Sequence, residues 1–159
     1  MKNLPIGIQT FQKIRDKKEN CLYIDKTDLA LNLINKEGEY FFLSRPRRFG
    51  KSLFLDTIKD IFEGKKEFFE GLYIYDKWDW KTTYPVIKIS FGLGVVKSIA
   101  DLNMRILAIL KENQKRLNIE CENFKDTSGC FRELIISAYE KYNQKVVILI
   151  DEYVDNSTP

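Results

Sequence analysis

Two continuous apolar runs, Tyr40 to Leu43 and Val146 to Ile150, stand out in a chain whose other apolar positions mostly recur on a helical period. Short runs of aromatic and β-branched residues read as strands buried on both faces, the kind that parallel sheets use. Pro85 to Phe91 reads as another strand, started by proline and ended by Gly92 and Gly94. Cys21 to Ile24 reads as a short extended segment. Between these, apolar residues fall three or four apart and predict helices. The sets are Ile8, Phe11 and Ile14; Leu29, Leu31, Leu33 and Ile34; Phe54, Ile58, Ile61 and Phe62. Further on come Ile99, Leu102, Ile106, Leu107 and Leu110, then Phe131, Leu134, Ile135, Ala138, Tyr139 and Tyr142.

The punctuation agrees with these elements. Asp25 or Thr27 is placed to cap the second helix, and Gly64 stands where the third would end on a left-handed residue. Residues 68 to 80, with six aromatic rings around Gly71, predict a hydrophobic elbow packed under the sheet. In the alternative reading these rings are exposed beside lysines and stack on nucleic-acid bases. Strands alternating with helices imply an α/β fold with a mostly parallel sheet and right-handed crossovers.

Composition narrows the chemistry. The 159 residues suit one domain, with 44% hydrophobic and 31% charged residues typical of a globular protein. There is no histidine, which excludes Ser-His-Asp triads, Cys-His dyads and histidine-ligated zinc. The three cysteines, Cys21, Cys121 and Cys130, have no metal-site spacing and read as buried thiols. A metal would therefore need oxygen ligands, which points to Mg²⁺ held together with phosphates. A net charge of +3 is too mild to argue nucleic-acid binding by itself. No apolar stretch approaches membrane-spanning length and no cleavable leader is recognisable, so no membrane partner and a cytoplasmic location are expected.

The first apolar run empties into Ser44-Arg45-Pro46-Arg47-Arg48-Phe49-Gly50-Lys51-Ser52-Leu53, ahead of a helical pattern. Backbone N–H groups, a mobile cation and a hydroxyl in that setting make a phosphate-binding loop. Gly50 lets the backbone approach a phosphate, Lys51 reaches the β- and γ-phosphates, and Ser52 offers a hydroxyl to Mg²⁺. The helix dipole adds to the attraction for anions. Arg45 stands where the general Walker A pattern has its first glycine, and Pro46 presets the turn in its place. The second run ends in Asp151 and Glu152, at the strand edge where α/β proteins build ligand sites. Asp151 is the expected Mg²⁺ carboxylate of a Walker B strand, and Glu152 the residue that orients and deprotonates the attacking water. Tyr23 to Thr27 carries a second reading, contact with the nucleotide base.

Together these strings resemble the N-terminal part of the bacterial predicted AAA-ATPase-like family. The resemblance rests on Ile6-Gly7-Ile8 with Phe11 and Arg15, Tyr23 to Thr27, Phe42 to Leu53, Tyr84 to Ile87, and Leu149 to Tyr153. It implies a P-loop NTPase three-layer α/β/α core over residues 38–153, with a lead-in over 1–37 and a divergent tail over 154–159. It further implies Mg²⁺-dependent ATP binding and hydrolysis, with Arg45 to Leu53 around the nucleotide, and a frequent fusion to a PD-(D/E)xK nuclease-like domain. In that class a later strand with a polar sensor residue separates the two apolar strands. No such strand follows here, so the expectation is that a second copy or a missing C-terminal half fills a gap in the sheet, that the acid-tipped strand moves next to the loop strand, or that an edge stays exposed at a cost in stability. The alternative function is a non-catalytic module whose basic loop contacts nucleic-acid phosphates.

Overall fold

The computed structural model describes residues 1–46, 48–92, 98–122 and 126–151, arranged as two units, Met1–Thr83 and Tyr84–Pro159. It is a mixed α/β protein, and the sheet among the described residues has two parallel strands.

The first unit is helical. It contains α1 (Phe11–Arg15), α2 (Thr27–Ile34), α3 (Lys51–Phe62) and a 3₁₀ turn at Lys66–Phe69. Phe11, Ile61, Phe69 and Ile74 are fully buried and form its centre. The Phe11 and Phe69 rings lie 4.6 Å apart, and Phe69 continues to Trp80 at 4.9 Å. The aromatic elbow is therefore a core element, packed on α1 and not beneath a sheet as the sequence led us to expect. Phe69 packs on Phe11 and Trp80, which removes these two rings of the elbow from any stacking platform, whereas Tyr73 is 50% exposed with the Lys77 ammonium 3.7 Å from its ring centroid.

Polar side chains tie this unit together. Asp25 accepts from the Thr27 N–H at 2.8 Å and the Thr27 hydroxyl at 2.7 Å, and from Tyr73 N–H at 2.7 Å. Thr27 Oγ1 in turn accepts from Ile74 N–H at 3.2 Å. Asp25 is thus the carboxylate that organises the start of α2, while Thr27 is buried against the elbow. Burial raises the Asp25 carboxyl, but the hydrogen bonds from Tyr73 and Thr27 outweigh it and hold the group below its ordinary range. On α3, Asp56 accepts from the Phe11 N–H at 2.8 Å, and Lys59 lies 3.2 Å from both Asp56 and Asp60. Gln12 donates to Asp60 Oδ1 at 3.0 Å, whereas Asp60 Oδ2 is buried without a hydrogen-bond partner among the described residues.

Tyr40 to Leu43 departs from expectation. These residues form no strand, and Tyr40 and Phe42 are 92% and 90% exposed. A strand exists only through a neighbour that pairs its N–H and C=O groups. In this unit the described residues contain a single isolated bridge, Asn3 to Cys21, and no ladder for the run to join.

The second unit carries β1 (Val86–Ser90), α4 (Ile99–Leu117), α5 (Thr127–Tyr142) and β2 (Val147–Asp151), close to the sequence expectation. β1 and β2 pair in register from Val86 opposite Val147 to Ser90 opposite Asp151. Ile87, Leu110, Leu117, Cys130, Leu134 and Ala138 form the core between β1 and the two helices. Ser98 caps α4 through Asp101 N–H at 3.1 Å, and Asp126 caps α5 through Ser128 and Gly129 N–H at 3.1 and 3.0 Å. Asn118 and Asn143 end these helices in left-handed conformations. Asn113 of α4 donates to the Lys88 carbonyl at 2.8 Å and accepts from the Lys88 N–H at 2.9 Å, and Arg116 donates to the Val86 carbonyl. Two side chains thereby occupy backbone groups along β1. Ile148 and Ile150 of β2 remain 40% and 53% exposed. Cys121 donates to the Cys130 carbonyl at 3.4 Å, and burial with the neighbouring Cys130 pushes its thiol up to about 12.

Candidate phosphate-binding loop

Gly50 starts α3 from a left-handed conformation, φ +75°, and its carbonyl accepts from the Phe54 N–H at 2.9 Å to open the helical ladder. A β-carbon at Gly50 would meet nothing within 4 Å, so the dihedral and not the space asks for glycine. Arg48 also holds a positive φ, +66°, at a cost of ~1–2 kcal/mol for a residue with a side chain. Of the two left-handed residues just ahead of the helix start, Arg48 is the one that stores strain, since glycine adopts this conformation freely.

Gly50 at the N-cap has no side chain to cap α3, and the first turn of the helix holds no acidic residue. The first N–H groups of a helix lack intrahelical partners, so this end keeps its positive dipole uncompensated. Lys51 is the first residue of α3, and its ammonium turns back across the loop. Nζ donates to the Arg45 carbonyl at 2.6 Å and to the Pro46 carbonyl at 3.1 Å. An ammonium has three N–H donors, and two carbonyl oxygens of the loop entry here engage it as phosphate oxygens would. Pro46 has no N–H of its own, so its peptide contributes only the acceptor that Lys51 uses.

Of the residues singled out from the sequence, the structure brings Arg45, Pro46, Gly50 and Lys51 into one loop closed by the lysine. Arg45, Pro46, Arg48, Phe49 and Gly50 are exposed, while Lys51, Ser52 and Leu53 are half-buried. Arg47 lies outside the described residues. Asp151 belongs to the second unit, where it ends β2, is only 8% exposed and accepts from the Phe91 N–H at 3.2 Å through its backbone carbonyl. Glu152 lies outside the described residues. Among the described residues no three cysteines or carboxylates converge into a metal cage.

Sequence reasoning missed the wall beside the loop. The Asn3 to Cys21 bridge, with Leu22 N–H donating to Asn3 O at 2.8 Å, binds the N-terminal strip to the segment after α1. Together with the first turns of α3 they bound a cleft of about 240 Å³ that touches Gly50. Tyr23 and Lys26 line it, whereas Asp25 and Thr27 from the same segment are committed to the elbow. Burial raises the Tyr23 phenol, partly offset by its hydrogen bond with Thr57. No sequence spacing connects Leu4 with Leu53; only the bridge does.

A family model described as a predicted AAA-ATPase matches residues 5–158. A protein of Azotobacter chroococcum mcd 1, described as an uncharacterized protein in the vnfD 5′ region, is 47% identical over 161 residues. That alignment covers 99% of this chain and 31% of the relative, so the chain spans about a third of the relative's length. No solved structure matches. No helix among the described residues is long and apolar enough to cross a membrane.

Proposed function

The chain belongs to the predicted AAA-ATPase family, and from that premise we propose that residues 45–53 bind the triphosphate of Mg·ATP within a P-loop NTPase core. The observation that carries the reading is the Lys51 ammonium, held by the Arg45 and Pro46 carbonyls in front of an uncapped helix start. A triphosphate arriving there meets the N–H groups at the start of α3 and a lysine that exchanges carbonyl oxygens for charged phosphate oxygens. The exchange replaces ion–dipole contacts by contacts between opposite full charges, which Coulomb attraction favours. Arg45, Arg47 and Arg48 add positive potential around the loop.

Hydrolysis would draw on the second unit. By their positions in the sequence motifs, Ser52 and Asp151 would be the oxygen ligands of a Mg²⁺, whose charge would offset that of the triphosphate. Glu152 accepts a proton from the attacking water, so that the nucleophile is oriented and activated by one carboxylate. Lys51 stabilises the charge that develops on the transferred phosphoryl oxygens.

Calorimetric titration of the protein with Mg·ATP tests the binding step. Wild-type binding that weakens by about 30-fold or more in Lys51→Ala supports it, in line with ~2 kcal/mol for the loss of a charged hydrogen-bonding group. Equal affinity of the two proteins overturns it. Nucleic-acid binding that falls steeply with salt, with no binding of Mg·ATP, would instead favour the non-catalytic phosphate-contacting module.

A further inference from the structure

We infer that Cys121 and Cys130 form a redox-modification site: within the folded second unit, a small disulfide of the oxidised-glutathione class converts their thiols into a cystine that ties the segment after α4 to α5.

One side chain sets the pair up. Gln114, near the end of α4, is only 8% exposed. Its backbone carbonyl accepts from the Ile119 N–H at 2.9 Å, which turns the chain back after the helix. Its side-chain oxygen accepts from the Cys121 N–H at 3.3 Å, and its amide nitrogen donates to Cys130 Sγ at 3.3 Å. A single buried amide therefore holds both cysteines. Cys121 Sγ completes the approach, donating to the Cys130 carbonyl at 3.4 Å and hydrogen-bonding to the Cys130 side chain. A disulfide requires two side chains that point at each other, and these do so although nine positions separate them in the chain. Among the described residues no third thiol or carboxylate joins them as a metal site, so the chemistry open to the pair is that of two thiols.

Exposure divides the roles. Cys121 is half-buried and Cys130 is fully buried, so an oxidant from solvent meets Cys121 first. The Cys121 thiolate attacks one sulfur of the oxidant, whose S–S bond breaks. A mixed disulfide forms on Cys121, and the first glutathione leaves as a thiol carrying the proton that Cys121 gave up. Cys130 then loses its proton and attacks Cys121 Sγ, and the second glutathione leaves with that proton. Two electrons have passed from the cysteine pair to the oxidant. Burial first, then the Cys130 thiol and the Glu133 carboxylate of α5, push the Cys121 thiol up to about 12, while α4 faces it with the neutral Gln114 amide. The first attack is accordingly slow at neutral pH, and the pair responds to sustained oxidation.

The test uses the whole chain carrying Cys21→Ser, which removes the third cysteine, incubated under native conditions with oxidised glutathione at mildly alkaline pH. Thiol titration, intact mass and peptide mapping follow the reaction, and circular dichroism checks the fold. The expected result is loss of both remaining thiols, a mass lower by two hydrogens, a cross-linked Cys121–Cys130 peptide, and recovery of both thiols with dithiothreitol. Cys130→Ser in the same background should stop with one glutathione on Cys121, and Cys121→Ser should slow modification of Cys130 by about tenfold or more. The wild-type chain, mapped in the same way, supplies the same readout if Cys21→Ser disturbs folding. A glutathione that persists on Cys121 while Cys130 is present, a cross-link between chains, or thiols that react only in urea would each overturn the inference.

Discussion

Lys51 Nζ lies 2.6 Å from the carbonyl of Arg45, six residues back along the chain, and this contact closes the basic loop on itself. The lysine is half-buried and the carbonyl exposed, so water replaces either partner readily when the contact is removed. Lys51→Met should therefore change the unfolding free energy by less than about 1 kcal/mol. Its Mg·ATP affinity should fall by about 30-fold or more. Urea unfolding and calorimetry on the same protein separate the two effects.

Gly50→Ala probes the loop from the backbone side. A β-carbon there meets no atom within 4 Å, yet φ of +75° disfavours alanine by ~1–2 kcal/mol. The variant should lose about that much stability in urea unfolding, and Gly50→Asn should lose less, because asparagine tolerates left-handed backbone better. Equal losses for the two would mean that side-chain size, not the dihedral, governs the position.

Asp60 makes the pH dependence specific. Burial is the largest influence on its carboxyl and raises it above the ordinary value of 3.8, against the opposing pull of Lys59 and the Gln12 hydrogen bond. The folded protein thus holds this proton more tightly than the unfolded chain does. The associated stability is present below 3.8 and is lost as pH rises through the folded value. Asp60→Asn cannot ionise, so its stability relative to wild type should climb as pH is raised through that interval. Paired urea titrations at several pH values check the sign; a stability of Asp60→Asn minus that of wild type that falls with rising pH contradicts it. Asp25, held below its ordinary range by Tyr73 and Thr27, contributes the opposite slope, losing stability as pH falls through its folded value.

Asn113 offers the corresponding test in the second unit. Its side-chain amide satisfies both the N–H and the C=O of Lys88. Asn113→Leu keeps the branching of the side chain but loses both bonds at a buried position, which should cost about 2 kcal/mol or more. Loss of amide-exchange protection at Lys88 would locate the effect at β1.

Phe69→Ala should be the most damaging of these changes, at ~3–5 kcal/mol in thermal or urea unfolding. The ring is fully buried and touches both Phe11 and Trp80.

Much of this was legible in the residues alone. The helices of residues 99–117 and 127–142 follow their apolar period, and their strands follow Pro85 and the Val146 run. Local chemistry suffices there, since the caps at Ser98 and Asp126 are written in the sequence next to the helices they start. The loop was legible through Gly50, Lys51 and Ser52. Tyr40 to Leu43 misled, because β-forming residues cannot supply the neighbouring backbone that a strand requires, and no periodicity reports whether one is present. The elbow misled differently. Its aromatic density announced burial, but the choice of α1 as the packing partner depends on Phe11, nearly sixty residues away from Phe69. The cleft was half legible. Tyr23 was flagged as a base contact, while Leu4, Leu22 and Leu53 meet only through tertiary structure.

The amide of Asn113 and the guanidinium of Arg116 have a consequence for assembly. By imitating an adjacent strand they render one margin of the two-stranded sheet self-sufficient, and a newcomer there would have to displace them. Lateral growth is accordingly polarised. Any further parallel segment recruited to this unit is directed past β2, whose outer backbone edge no other strand among the described residues pairs.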